Sequence, residues 1–220
     1  MNRNKEIKAV IFDMDGVILD SERTLSDEWA ELAKTVYLPD IRNVYISICG
    51  TTKKVTGEIM RKAYGSDFDF EYYNHLVYQM RDEKYKDGLP LKPGIRELLK
   101  MLKEKGIKTA LATSTYRERA RSQLMAVDLF SYFDKFISGE MVTKSKPDPE
   151  IFLMAMDALK EDPCGSIIIE DSYNGVRAAH SSGAETIMVP DLKAPDEEIS
   201  RLCDHIFPSL NEVREYICAI

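Results

Sequence analysis

The strongest constraint on this chain is a junction near its start, where four apolar residues, Ala9-Val10-Ile11-Phe12, run directly into Asp13-Met14-Asp15-Gly16. A run that is apolar at successive positions suits a strand buried on both faces, as in a parallel sheet covered by helices. Asp13 then falls at the carboxyl end of that strand, which is where open α/β sheets bind ligands. Asp13 and Asp15 are two residues apart, so on extended backbone their side chains share a face and repel unless a cation lies between them. Carboxylate oxygens on a rigid edge suit a hard divalent ion, most naturally Mg²⁺. Gly16 permits a sharp turn and exposes backbone N–H groups that a phosphate can use. Taken alone, Asp-x-Asp also fits the solvated acidic end of an ordinary strand, so the rest of the chain must supply the matching parts.

Downstream, the texture changes twice. From about Ser21 to Asp87 only helical stripes appear: Leu25, Trp29, Leu32, Ala33 and Val36 before Pro39; Val55, Ile59 and Ala63 before Gly65; and Tyr72, Tyr73, Leu76, Val77 and Met80. The aromatic and Met content of this stretch reads as its own core. Asp87-Gly88-Leu89-Pro90 and Pro93-Gly94 then punctuate a return to the first domain. The expected organisation is an α/β core over residues 1–20 and 88–220, with a helical module inserted over 21–87.

Within the core the pattern alternates. Ile95, Leu98, Leu99 and Leu102 mark a helix, Lys108 to Ala112 a strand, and Thr115-Tyr116-Arg117-Glu118 a capping box opening the next helix. Asp134 to Ser138 follows as a strand, Asp148-Pro149 as a helix cap, Ser166 to Ile169 as a strand running into Glu170-Asp171, and Glu185 to Val189 as a fifth strand. A last helix is expected over Ser209 to Ile217. Such alternation predicts a parallel, Rossmann-like sheet with helices on both faces.

Charge and cysteine content narrow the function classes. A net charge of -7 argues against a non-specific nucleic-acid surface or an anionic-membrane surface, but not against an anionic substrate reached through a local cation. Cys49, Cys164, Cys203 and Cys218 form no Cys-x-x-Cys pair, and His75, His180 and His205 show no zinc-ligand spacing. No apolar stretch approaches the roughly 20 residues of a membrane span. A cytoplasmic protein without a signal peptide, bound to neither nucleic acid nor membrane, is the expectation.

Three strand ends supply what a Mg²⁺-phosphate site needs. Thr113 and Ser114 stand between a strand and a helix amino terminus, where hydroxyls and free N–H groups favour an anion. Lys146, in Ser145-Lys146-Pro147-Asp148-Pro149, precedes a proline-stiffened helix start and offers a fixed ammonium to a crowd of carboxylates. Glu170-Asp171 closes the fourth strand at the same sheet edge.

In this order the motifs resemble those of the haloacid dehalogenase-like hydrolase superfamily, and in particular its helical-cap group around β-phosphoglucomutase and phosphoglycolate phosphatase. The resemblance covers about Lys8 to Val189 and includes the pattern Ser-Lys-Pro-x-Pro-x-x-Phe, present as Ser145 to Phe152. It implies that Asp13 is a nucleophile forming an aspartyl-phosphate and that Asp15 is the acid and base. It further implies a second-motif hydroxyl at Thr113, phosphate compensation by Lys146, and Mg²⁺ held by Asp13, the Asp15 main-chain carbonyl and Asp171, with Glu170 acting through water. The substrate implied is a small phosphorylated metabolite, a sugar phosphate or a phosphorylated acid. Asp15 weighs against dehalogenation, since a departing halide needs no proton. A histidine that the mutases carry corresponds to Leu25, which favours phosphatase over mutase. Lys53, in Gly50-Thr51-Thr52-Lys53, resembles the cap loop that presents a basic group to a distal anion. A non-catalytic protein of this fold would be expected to lack one of Asp13, Asp15, Lys146 or Asp171, and all four are present.

Overall fold

The computed structural model describes residues 6–51 and 53–220, leaving the Lys53 side chain outside the description. Strands β1 (Ala9–Phe12), β2 (Lys108–Thr113), β3 (Lys135–Ser138), β4 (Ser166–Glu170), β5 (Glu185–Met188) and β6 (His205–Ile206) form one six-stranded sheet. Its order is β3-β2-β1-β4-β5-β6, and every pairing is parallel. The order reverses at β1, which lies between β2 and β4. A crevice therefore opens beyond the carboxyl end of β1, the usual ligand position in such sheets.

Alternation along the strands fills a layer on each side. Val10, Phe12, Leu111, Ile167 and Ile169 pack against α5 (Ile95–Glu104), α6 (Arg117–Ala126) and α10 (Leu210–Ala219). Ala9, Ile11, Ala110, Ala112 and Ile168 pack against α7 (Glu150–Leu159) and α8 (Tyr173–Ser182). Small residues dominate the second face, which brings α7 close to the sheet beside the crevice.

Between β1 and α5 stand four helices of the described chain: α1 (Ser21–Leu32), α2 (Ile41–Ile48), α3 (Lys53–Tyr64) and α4 (Phe70–Lys84). They enclose a separate apolar cluster that includes Leu25, Trp29, Ile41, Tyr45, Met60, Phe70 and Val77. Trp29 stacks on Phe70 with ring centroids 6.2 Å apart, a pairing worth about 0.5–1.5 kcal/mol beyond its burial. The two chain segments joining this module to the sheet run together: Asp20 N–H donates to Pro90 O at 2.8 Å and Lys92 N–H to Ile18 O at 2.9 Å. The Lys92 ammonium fastens this junction to the far side of the crevice by donating to Asp191 at 2.6 Å.

Several sequence expectations need correction. The first helix ends at Leu32 instead of continuing through Val36. Helix α2 was not expected: its stripe Ile41, Tyr45 and Ile48 is short and rich in β-branched residues, which disguise a helical period. Helix α9 (Glu197–Leu202) and the two-residue β6 also went unpredicted, both being too short to show periodicity. In α4, Phe70 and Val77 face the module core, whereas Tyr72 is 55% exposed. No helix among the described residues is long and apolar enough to cross a membrane.

Candidate active site

The crevice at the end of β1 collects most of the residues singled out from the sequence. Asp13 continues the ladder beyond β1, its N–H donating to Ile169 O at 3.0 Å, so its carboxylate is fixed by the sheet. Lys146 reaches it from the loop before α7. Its Nζ donates to Asp13 Oδ1 at 2.5 Å, Glu170 Oε1 at 2.6 Å and the Ala112 carbonyl at 3.2 Å, three acceptors for three protons. The Phe152 ring lies 4.8 Å beneath the ammonium, which explains why the motif carries a Phe six residues on. Burial alone would lower the Lys146 pKa, but the Asp13 and Glu170 charges outweigh it and hold the ammonium protonated above its usual range.

Glu170 is fully buried. While Oε1 accepts from Lys146, Oε2 accepts from the N–H groups of Asp171 and Ser172 and from the Ser172 hydroxyl at 3.0–3.1 Å. It thus pins both the lysine and the loop that presents Asp171. A Cβ on Gly175 would fall 1.9 Å from Glu170 Cδ, so the first turn of α8 requires glycine there. Glycine at 16 answers a similar need. Its φ is +81°, and a Cβ would lie 2.2 Å from Asp171 Oδ2. Its N–H donates to Leu19 O at 2.9 Å, so the expected phosphate donor at Gly16 is already engaged; the residue makes room for Asp171 instead.

Asp13, Glu170 and Asp171 each bring a carboxylate oxygen within 4.8 Å of the others. Burial pushes the Asp13 carboxyl up to about 7, against the pull of Lys146 and with Glu170 and Asp15 adding to the rise. Asp171 is raised well above the carboxylate range by burial and then by its acidic neighbours. Buried hard oxygen donors held together with a single ammonium among them are short of positive charge, and they fit a divalent ion such as Mg²⁺.

Asp15 is held apart from this cluster. Ser21 Oγ donates to its Oδ1 at 2.7 Å and Thr115 Oγ1 to its Oδ2 at 2.8 Å. The expected capping box at Thr115 and Glu118 is therefore absent. Helix α6 starts at Arg117 with no side-chain cap, because the Thr115 hydroxyl reaches across the crevice instead. Thr113 is buried, and its Oγ1 accepts the Thr115 N–H at 3.1 Å, leaving its own proton to donate. Ser114 lines the crevice and is exposed. Lys53 begins α3, but the position of its side chain lies outside the described residues.

Sequence reasoning missed Ser21, Thr115 and the wall facing them. That wall comes from the helical module: Glu22 and Leu25 from α1, and Asn74, His75, Tyr78 and Arg81 from α4, around a cavity of about 910 Å³. Asn74, Tyr78 and Arg81 are spaced i, i+4 and i+7, so one face of α4 looks into the cleft. Glu22 accepts from Tyr45 at 2.8 Å, and burial raises its pKa, tempered by that bond.

Residues 10–189 match the haloacid dehalogenase-like hydrolase family. The chain belongs to that family. Its relatives include a phosphorylated carbohydrates phosphatase of Thermotoga maritima, 35% identical over 82% of this chain and 84% of the relative. Hexitol phosphatase B of Escherichia coli K12 is 29% identical over 97% of each chain. Among solved structures, a Thermotoga maritima protein provisionally assigned as a β-phosphoglucomutase superposes with a TM-score of 0.80 at 30% identity, covering 97% of this chain and 100% of that one. Both the α/β fold and the resemblance to the helical-cap group agree with these likenesses.

Proposed function

We propose that this hydrolase is a Mg²⁺-dependent phosphatase acting on a small phosphorylated metabolite, with phosphorylated carbohydrates as its first substrate class, through an aspartyl-phosphate on Asp13. The observation that carries the reading is the Lys146 ammonium clamped between Asp13 and Glu170 at 2.5 and 2.6 Å, with Asp171 beside them and Asp15 held separately. Two aspartates in different surroundings suit two roles. Asp13, rigid and paired with a cation, attacks phosphorus. Asp15, oriented by Ser21 and Thr115, protonates the leaving alkoxide and then takes a proton from the water that hydrolyses the acyl phosphate.

Asp13, Asp171 and the Asp15 main-chain carbonyl would hold the metal, with Glu170 behind them. A bound Mg²⁺ would neutralise the equatorial phosphoryl oxygens. The Thr113 hydroxyl adds a donor for the same oxygens, Lys146 adds its positive charge beside them, and Ser114 lines their side of the cleft. The helical module, residues 21–87, serves as a cap over the core, excluding water from the phosphoryl group. The names of the relatives support the substrate class. Leu25 supports hydrolysis over sugar-phosphate isomerisation, since it lines the cleft with an apolar side chain only 6% exposed. Four free cysteines accord with a cytoplasmic location.

The test is phosphate release from an aryl phosphate, followed by a panel of phosphorylated sugars, polyols and acids. Activity should require Mg²⁺, vanish with EDTA and be lost in Asp13→Asn. Persistent turnover in Asp13→Asn would exclude the nucleophile. Interconversion of β-glucose 1-phosphate and glucose 6-phosphate, primed by the 1,6-bisphosphate, would favour the mutase instead.

A further inference from the structure

One end of the cleft is not used by the proposed chemistry. There α4 and α6 face each other, and two guanidiniums share one carboxylate. Arg81 donates from Nε and Nη2 to Asp82 Oδ1 at 3.2 and 2.9 Å, and Arg119 donates from Nη2 to Oδ1 and Oδ2 of the same residue at 3.1 and 3.2 Å. Both guanidinium carbons also lie over the Tyr78 ring, 4.7 and 5.0 Å from its centroid. Arg81, Tyr78 and Arg119 all line the cleft, as does Gln123, one turn beyond Arg119.

The charges at this end do not balance. The Arg81 side chain is 3% exposed, yet the carboxylate it pairs with, Asp82, is itself 53% exposed. A buried guanidinium ordinarily needs a better-desolvated and more complete set of acceptors. Nearby, the Gln123 Oε1 atom is buried with no hydrogen-bond partner. An amide presents an acceptor and two donors in one plane, so a ligand oxygen or hydroxyl at this point can satisfy it. The place is also correctly sited: Thr115 touches Asp15, and Arg119 follows four residues later, so α6 leads outward from the reacting centre. The Tyr78 ring lies under both guanidiniums and lines the same cleft as Glu22 and Asp15, so it borders both regions.

We infer that Tyr78, Arg81, Arg119 and Gln123 form a subsite for a second anionic group on the substrate, a carboxylate or a phosphate remote from the one cleaved. Asp82 holds the place of that group until substrate arrives. This rests on the phosphatase reading and narrows it to phosphorylated sugar acids or bisphosphates. Planar guanidiniums bind such groups bidentately, and Asp82, half in solvent, turns out to water as the incoming anion takes its donors.

Calorimetry with Mg²⁺ in an Asp13→Asn background, where no turnover intervenes, can compare matched ligands. One arm sets 6-phosphogluconate against glucitol 6-phosphate, the other fructose 1,6-bisphosphate against fructose 6-phosphate. The charged member of at least one pair should bind at least tenfold more tightly, and the responding arm identifies carboxylate or phosphate. Adding Arg119→Gln should erase about tenfold of that preference, and adding Asp82→Asn should increase it. A pair of residues that merely latches cap to core would shift the preference in the same direction in both variants, or not at all. That result, or equal binding within each pair, overturns the subsite. Aryl phosphate hydrolysis by the unaltered protein is measured alongside: its absence with the charge preference intact would remove the phosphatase reading and leave the subsite standing. Fluorescence of the single tryptophan, Trp29, reports that each variant retains its folded module.

Discussion

The two walls of the cleft are built on opposite terms. On the sheet side, Asp13, Lys146 and Glu170 are buried and mutually bonded, and glycines at 16 and 175 are needed to let the carboxylates fit. On the module side, Asn74 and His75 line the same space half-buried or exposed, and Glu22 accepts from Tyr45 and Cys49. The difference teaches that one wall is organised for a fixed reaction and the other for a replaceable choice of substrate. Change on the first should abolish turnover for every substrate, and change on the second should alter which substrates are used.

The largest effect expected is Asp13→Asn, which should lower kcat by at least about a thousandfold on aryl and sugar phosphates alike. Lys146→Met comes next. It should cost about a hundredfold in kcat, and leaving Asp13 and Glu170 unpaired should cost about 3–5 kcal/mol in stability, read by urea denaturation. A stable, active Lys146→Met protein would mean the sheet-side wall is not interlocked. Thr115→Val should reduce kcat about tenfold with little change in Tm, since it frees one oxygen of Asp15 while preserving shape; an unchanged kcat would remove Thr115 from the reaction.

Acidity offers a subtler contrast. The folded-state pKa of Asp13, about 7, lies above its ordinary value of 3.8. Its contribution to stability is complete at pH values below the ordinary pKa and is lost as pH rises through the folded one. Metal-free protein should therefore melt several degrees lower at about pH 8 than at about pH 6, and Mg²⁺ should restore more at the higher pH. The smallest effect belongs to the module: Asn74→Ala should change KM for sugar phosphates about three- to tenfold while aryl phosphate hydrolysis changes less. Equal losses on both substrates would break the proposed division between the walls.

Legibility in the sequence followed range. The strand into Asp13, the lysine motif and Glu170-Asp171 are local patterns, and each strand end delivered its residue to the same crevice. Thr115 was misread because Thr with Glu three positions later is a sound local capping signal, whereas its actual partner, Asp15, lies 100 residues away. Gly16 was correctly seen as a backbone requirement, but its reason, the Asp171 carboxylate, belongs to another strand. Helix α2 escaped because Ile41, Val44 and Ile48 favour extended structure until Trp29 and its neighbours offer them a surface. Which face of α4 meets the cleft depends on how the module docks, and no local pattern records that.

The paired segments at Ile18–Asp20 and Pro90–Lys92 have an evolutionary consequence. Both crossings between sheet and helices are stitched to each other, so the insertion hangs from one two-ply ribbon. A different bundle grafted at that ribbon would have to match this one pairing together with the Arg119–Asp82 and Asn174–Gly50 bonds, while the sheet that carries Asp13 keeps its own strand pairing.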